Sequence, residues 1–67
     1  MRLTIEQVLQ YFEYAHLPPK LQEVSKPLCD LAHAMAGGLG GGPEVIVGLR
    51  KLLEAKDCFV RAALARK

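Results

Sequence analysis

The chain has 67 residues, 51% of them hydrophobic, and a formal net charge of only +2. That length excludes a second domain, and one domain so short buries too small a fraction of its surface to be comfortably stable alone. Its two cysteines, Cys29 and Cys58, stand far apart with no His/Cys cluster beside either, which excludes a disulfide framework and a zinc knuckle. Interleaved acids and bases exclude the broad electrostatic footprint of a protein that binds polymeric nucleic acid.

The first element opens at Thr4. Thr4 and Gln7 have capping-box spacing, and Leu3 with Val8 has the spacing of a hydrophobic staple. Ile5, Val8, Leu9 and Phe12 then share one helical face, so a helix is expected over about 4–13. Its apolar residues alternate with Glu6, Gln7, Gln10 and Glu13, unlike the unbroken apolar stretch of a signal peptide. Pro18 and Pro19 then force an extended Leu17 and can only open a new helix.

The second helix is expected over about 18–35. Leu21, Val24, Leu28, Leu31 and Met35 repeat in steps of three and four, a heptad-like seam. Pro27 removes the hydrogen bond to Glu23, so the helix either kinks or restarts with Ser25 as its cap. The unbroken seam favours one kinked helix. Glycines at 37, 38, 40, 41 and 42 are then expected to end it in a turn short enough for antiparallel packing.

The third helix is expected over about 43–65, with Pro43 in its first turn and Glu44 suited to its N-terminus. Arg66 and Lys67 suit its C-terminus. Its length is roughly 34 Å at the α-helical rise. Apolar residues from Val45 to Leu64 cover more than one stripe, so a second apolar face has no partner within the chain. The expected fold is therefore all-α: one domain over 1–67, a short N-terminal helix and a long antiparallel helical hairpin, completed by self-association. Phe12 and Phe59 read as core residues, and the cysteines as reduced, half-buried thiols of a cytoplasmic protein.

Catalytic chemistry finds little footing. His16 and His33 lack a ligand partner at helical spacing, Ser25 lacks a nucleophile-elbow context, and no carboxylates pair for acid/base work. The expectation is a protein that is not an enzyme. Lys56, Asp57 and Arg61 interrupt the apolar third helix. Asp57 and Arg61 have the spacing of an exposed ion pair, which spacing alone favours; the other reading has these polar groups lining a pocket where subunits meet. Lys26, near Pro27, carries the same two readings. Tyr14, just past a helix end beside two prolines, serves equally well for packing or for stacking on a nucleobase. The glycine-rich turn lacks the Lys-Ser/Thr ending of a P-loop and reads as a turn.

Read together, Phe12-Glu13-Tyr14, His16-Leu17-Pro18-Pro19, Leu21-Gln22, Val24-Ser25, Leu31-Ala32 and the run from Leu49 to Ala62 (LRKLLEAKDCFVRA) resemble a family of short bacteriophage proteins. That family shares the helical-hairpin domain of phage anti-CBASS and anti-Thoeris cyclic-nucleotide sponges. The resemblance extends from about Tyr11 to Leu64. It implies a homohexamer that binds cyclic di- or trinucleotides in pockets between subunits and sequesters them without cleavage. It places the base-stacking tyrosine at Tyr14, the basic position of the second helix at Ser25 and Lys26, and a polar pocket position at Arg61. Lys56, a polar residue of the long helix, is the remaining ligand-binding candidate.

The sequence therefore leads to a cytoplasmic immune-evasion sponge of phage type, acting inside the infected bacterium. It needs no cofactor, no metal, no membrane and no polymeric nucleic acid. A rival reading from another class is an oligomeric helical adaptor that binds a phage or host protein. A weaker third, a small DNA-binding regulator, is disfavoured by the modest charge.

Overall fold

The computed structural model describes residues 4–66, and among them every regular element is helical. Helix α1 spans Ile5–Gln10, α2 Pro19–Leu39 and α3 Pro43–Ala65. The Thr4 side chain accepts from the Gln7 amide while the Gln7 side chain accepts from the Thr4 amide, so the capping box is formed. Its companion staple involves Leu3, which lies outside the described residues.

Two helix boundaries differ from expectation. The first helix ends at Gln10 and not near Glu13. Beyond Gln10 the amides of Phe12 and Glu13 bond the carbonyls three residues back, Leu9 and Gln10, so the helix tightens before it stops. The second helix runs on past Met35 through Gly37 and Gly38 to Leu39. Glycine costs a helix entropy but does not forbid it. The true stop is Gly40, whose φ of 75° leaves the right-handed helical region; its amide closes on the Ala36 carbonyl at 3.1 Å. Pro27 lies inside α2, which is one continuous helix, so Ser25 caps nothing. Gly42, at φ 145°, leads directly into Pro43.

Helices α2 and α3 run antiparallel. The Lys20 ammonium at the start of α2 donates to the Arg66 carbonyl at the end of α3, 3.3 Å away. A cation thus meets the carbonyl end of α3, where helix dipoles favour positive charge. Short α1 lies across one face of this pair. The core it closes contains Val8, Phe12, Cys29, Ala32 and Leu49, with Ile46, Leu53 and Tyr14 packed around them.

The packing register of α2 departs from the sequence seam. Its buried residues are Leu21, Ser25, Cys29 and Ala32. Of the expected seam only Leu21 is buried; Leu31 and Met35 are each 43% exposed. Small side chains let α1 and α3 approach α2 closely, while the larger ones line the opposite side. Phe12 is fully buried as expected, but Phe59, expected in the core, is 54% exposed. Phe59 falls on the side of α3 away from α1. No helix among the described residues is long and apolar enough to cross a membrane.

Candidate ligand-binding site

The connector between α1 and α2 is held by side chains from both neighbouring helices. Lys56, on α3, donates from Nζ to the Tyr11 carbonyl at 2.6 Å. The same ammonium lies 6.0 Å from the centre of the Phe12 ring, at the outer range of a cation–π contact. Gln22, one turn into α2, donates from Nε2 to the Leu17 carbonyl at 2.7 Å and to the Ala15 carbonyl at 3.4 Å. Within the connector the Leu17 amide bonds the Tyr14 carbonyl. These contacts satisfy carbonyls that the broken helix leaves without partners, and they fix Tyr14 against the core. Its side chain is half-buried, so the ring is anchored on one side and accessible on the other.

Lys26 is exposed and pairs with Asp30 one turn on, Nζ to Oδ2 at 3.1 Å. That hydrogen bond, with the charge of Asp30 and a smaller contribution from the Tyr14 phenol, raises the Lys26 pKa above its ordinary value. The lysine is cationic at neutral pH. Cys29 is buried in the core, within electrostatic range of Lys26 and Lys56. Burial, followed by the charge of Asp30, pushes its thiol up, while both lysines pull it down. Both cysteines are free thiols, but they are not alike: Cys29 is buried, whereas Cys58, expected half-buried, is exposed.

Lys56 and Arg61 meet around a shallow hollow of about 210 Å³ that Leu17, Asp57 and Val60 also line. The expected Asp57–Arg61 ion pair is not made; among the described residues Lys26–Asp30 is the one salt bridge. The Arg61 guanidinium turns instead to the Cys58 sulfur, 3.4 Å away. Ser25 is fully buried, its hydroxyl without a hydrogen-bond partner. It lies beneath this surface, out of reach of a ligand. Of the five residues selected from sequence, Lys56 and Arg61 share one hollow, Tyr14 is half-buried in the connector that Lys56 holds, Lys26 is exposed and paired with Asp30, and Ser25 is interior.

Gln22 was not singled out from sequence. Its signal was present, a long polar side chain one turn past a proline-broken connector whose carbonyls need donors. Lys56 was selected, but its bond to the Tyr11 carbonyl was not foreseen, because it joins residues 45 positions apart. A larger groove of about 590 Å³ runs between α1 and α3, lined in part by Tyr11, Val47, Arg50, Lys51, Glu54 and Asp57. Its two cations face two carboxylates, so it offers an anion no net attraction. His16 and His33 are exposed, and no cluster of metal-ligating side chains occurs among the described residues.

Compared with protein-family models, with curated proteins and with solved structures, the chain matches none.

Proposed function

We propose that this chain is a cyclic-oligonucleotide sponge: it binds cyclic di- or trinucleotides and withholds them without cleaving them, as a homo-oligomer of helical hairpins. What supports this reading is the pair of cations, Lys56 and Arg61, lining one hollow, with half-buried Tyr14 in the connector that Lys56 holds at the Tyr11 carbonyl. A ring anchored on one side can stack on a base, and cations near it can meet the phosphates. Lys26 must leave Asp30 to do so, and an exposed ion pair gives up little when it opens.

The hollow beside Lys56 and Arg61, about 210 Å³, is smaller than the roughly 300–1,000 Å³ of ordinary ligand pockets. A neighbouring copy would supply the missing wall, so the oligomer belongs to the mechanism. A homohexamer placed in the bacterial cytoplasm, countering a nucleotide-signalling immune system, completes the proposal. The rival, a helical adaptor for a phage or host protein, draws on the exposed apolar side chains of α2 and α3 and leaves Tyr14 and Arg61 as packing and solubility residues.

Equilibrium dialysis against individual cyclic di- and trinucleotides, followed by heat denaturation and chromatography, tests the proposal. A sponge retains at least one such ligand and releases it chemically intact. Recovery of linear or monomeric nucleotides would replace it with an enzyme.

A further inference from the structure

Asp57 is the one charged residue of the hollow beside Lys56 and Arg61 to which the proposed function gives no part. The hollow is lined by Leu17, Lys56, Asp57, Val60 and Arg61. An anionic ligand gains from the two cations and loses from the carboxylate, so a site for phosphate alone is better without it. Nor does the acid neutralise its neighbours in ion pairs. Arg61, one turn on, gives its guanidinium to the Cys58 sulfur at 3.4 Å, and Lys56 gives its ammonium to the Tyr11 carbonyl at 2.6 Å. Arg50 and Lys51 line the larger groove together with Asp57 and do not pair with it either, since Lys26–Asp30 is the one salt bridge among the described residues.

The hollow therefore offers a ligand two kinds of contact. Lys56 and Arg61 are donors only, and Asp57 is an acceptor only, with two oxygens. Leu17 and Val60 add apolar wall suited to the face of a flat ring. Phosphates meet the donors. The carboxylate calls for donors on the same ligand, and among the bases guanine matches it best. Its Watson–Crick edge carries two adjacent donors, N1–H and the N2 amino group, which pair with the two oxygens of one carboxylate. Adenine and cytosine set a single amino group beside a ring nitrogen that accepts, and uracil sets its N3–H between two carbonyl oxygens. Each of those acceptors repels a carboxylate.

We infer that Asp57 is the base-selecting residue of this site: it accepts from the Watson–Crick edge of guanine, and the ligand is a guanine-containing cyclic oligonucleotide. The inference rests on the sponge reading and narrows it, from any cyclic di- or trinucleotide to those with at least one guanine.

The test is titration calorimetry of the full chain against pairs of cyclic di- and trinucleotides that differ only in guanine for adenine, using the parent, Asp57→Asn and Asp57→Ala. Within a bound pair the parent is expected to take the guanine member about ten- to a hundredfold more tightly, the worth of one bidentate base contact. Asp57→Asn puts an amino group where one acceptor was, and Asp57→Ala removes both acceptors. Each variant is expected to lose the preference, because the guanine member weakens while the adenine member binds as before or more tightly. Helical circular dichroism should be retained, since Asp57 is exposed and makes no salt bridge among the described residues. The comparison of ligands on the parent needs no variant and stands if one fails to fold. A parent that binds both members alike, or the adenine member more tightly, overturns the inference and leaves the sponge reading standing. Variants that tighten both members by the same factor and keep the parent's preference overturn it too, because Asp57 then only repels phosphate. A parent that binds no cyclic di- or trinucleotide overturns the sponge reading and this inference together.

Discussion

At the scale of single residues, Cys29 and Cys58 share a sequence context of apolar helix but not an environment. Cys29 lies in the core beneath α1, and Cys58 is exposed beside Arg61. Alkylation of the native protein should therefore modify Cys58 fully before Cys29 reacts, and mass spectrometry of timed samples reads the order. Equal rates would contradict the core placement. Burial raises the Cys29 thiol above its ordinary value, so the folded state holds that proton more tightly than the unfolded chain. The stabilisation is complete below the unfolded thiol pKa of about 8.5 and is lost as pH rises through the raised folded value. Urea midpoints should fall more steeply with alkaline pH for the parent than for Cys29→Ala. Tyr14 has two roles to separate, because its ring also packs against the core. Tyr14→Leu keeps apolar contact but lacks a flat π-face. At about 1–3 kcal/mol per stacked base, it should weaken cyclic-nucleotide binding by roughly one to two orders of magnitude. Lys26→Glu should do at least as much by repelling phosphate, with helicity unchanged in both variants.

Among the elements, α2 best separates what its sequence discloses from what it hides. The capping box at Thr4, the start of α3 at Pro43 and the continuity of α2 through Pro27 were legible because each depends on neighbours within a turn or two. The end of α2 was not. Gly37 and Gly38 continue the helix, and Gly40 stops it, a difference of backbone angle that five nearby glycines do not display in sequence. Substitution separates them. Gly37→Ala and Gly38→Ala should each add about 0.5–1 kcal/mol in urea unfolding, since no atom lies within 4 Å of either new Cβ. Gly40→Ala should destabilise, because alanine resists a φ of 75°. The seam was also read only in part. A periodicity of three and four finds an apolar row but not what the row faces, and here Ser25, Cys29 and Ala32 took the core while Leu31 and Met35 stayed outside. Of the site, Tyr14, Lys26, Lys56 and Arg61 were picked out by residue type and resemblance. Ser25 was included through adjacency to Lys26, and adjacent helical residues face different ways. Lys56→Met should cost about 1 kcal/mol in thermal unfolding by releasing the Tyr11 carbonyl.

For the whole molecule, a thin core and a broad apolar exterior are one fact seen from two sides. A chain of 67 residues that leaves Leu31, Met35, Val47, Phe59 and Leu64 between 43% and 63% exposed has placed much of its apolar content outside its own core. If assembly covers that content, folding and association are linked, and the apparent Tm should rise with protein concentration. A Tm independent of concentration over two decades would mean that the single chain is sufficient. In the proposed sponge a neighbouring copy would give the hollow beside Lys56 and Arg61 its second wall, so the ligand proposal and the oligomer meet there. Titration calorimetry of the full chain against a panel of cyclic di- and trinucleotides tests that proposal most directly. The account predicts saturable binding of at least one member, with fewer than one ligand per chain because subunits share each pocket. No heat and no binding at high micromolar ligand across the panel would contradict it and leave the adaptor reading in its place.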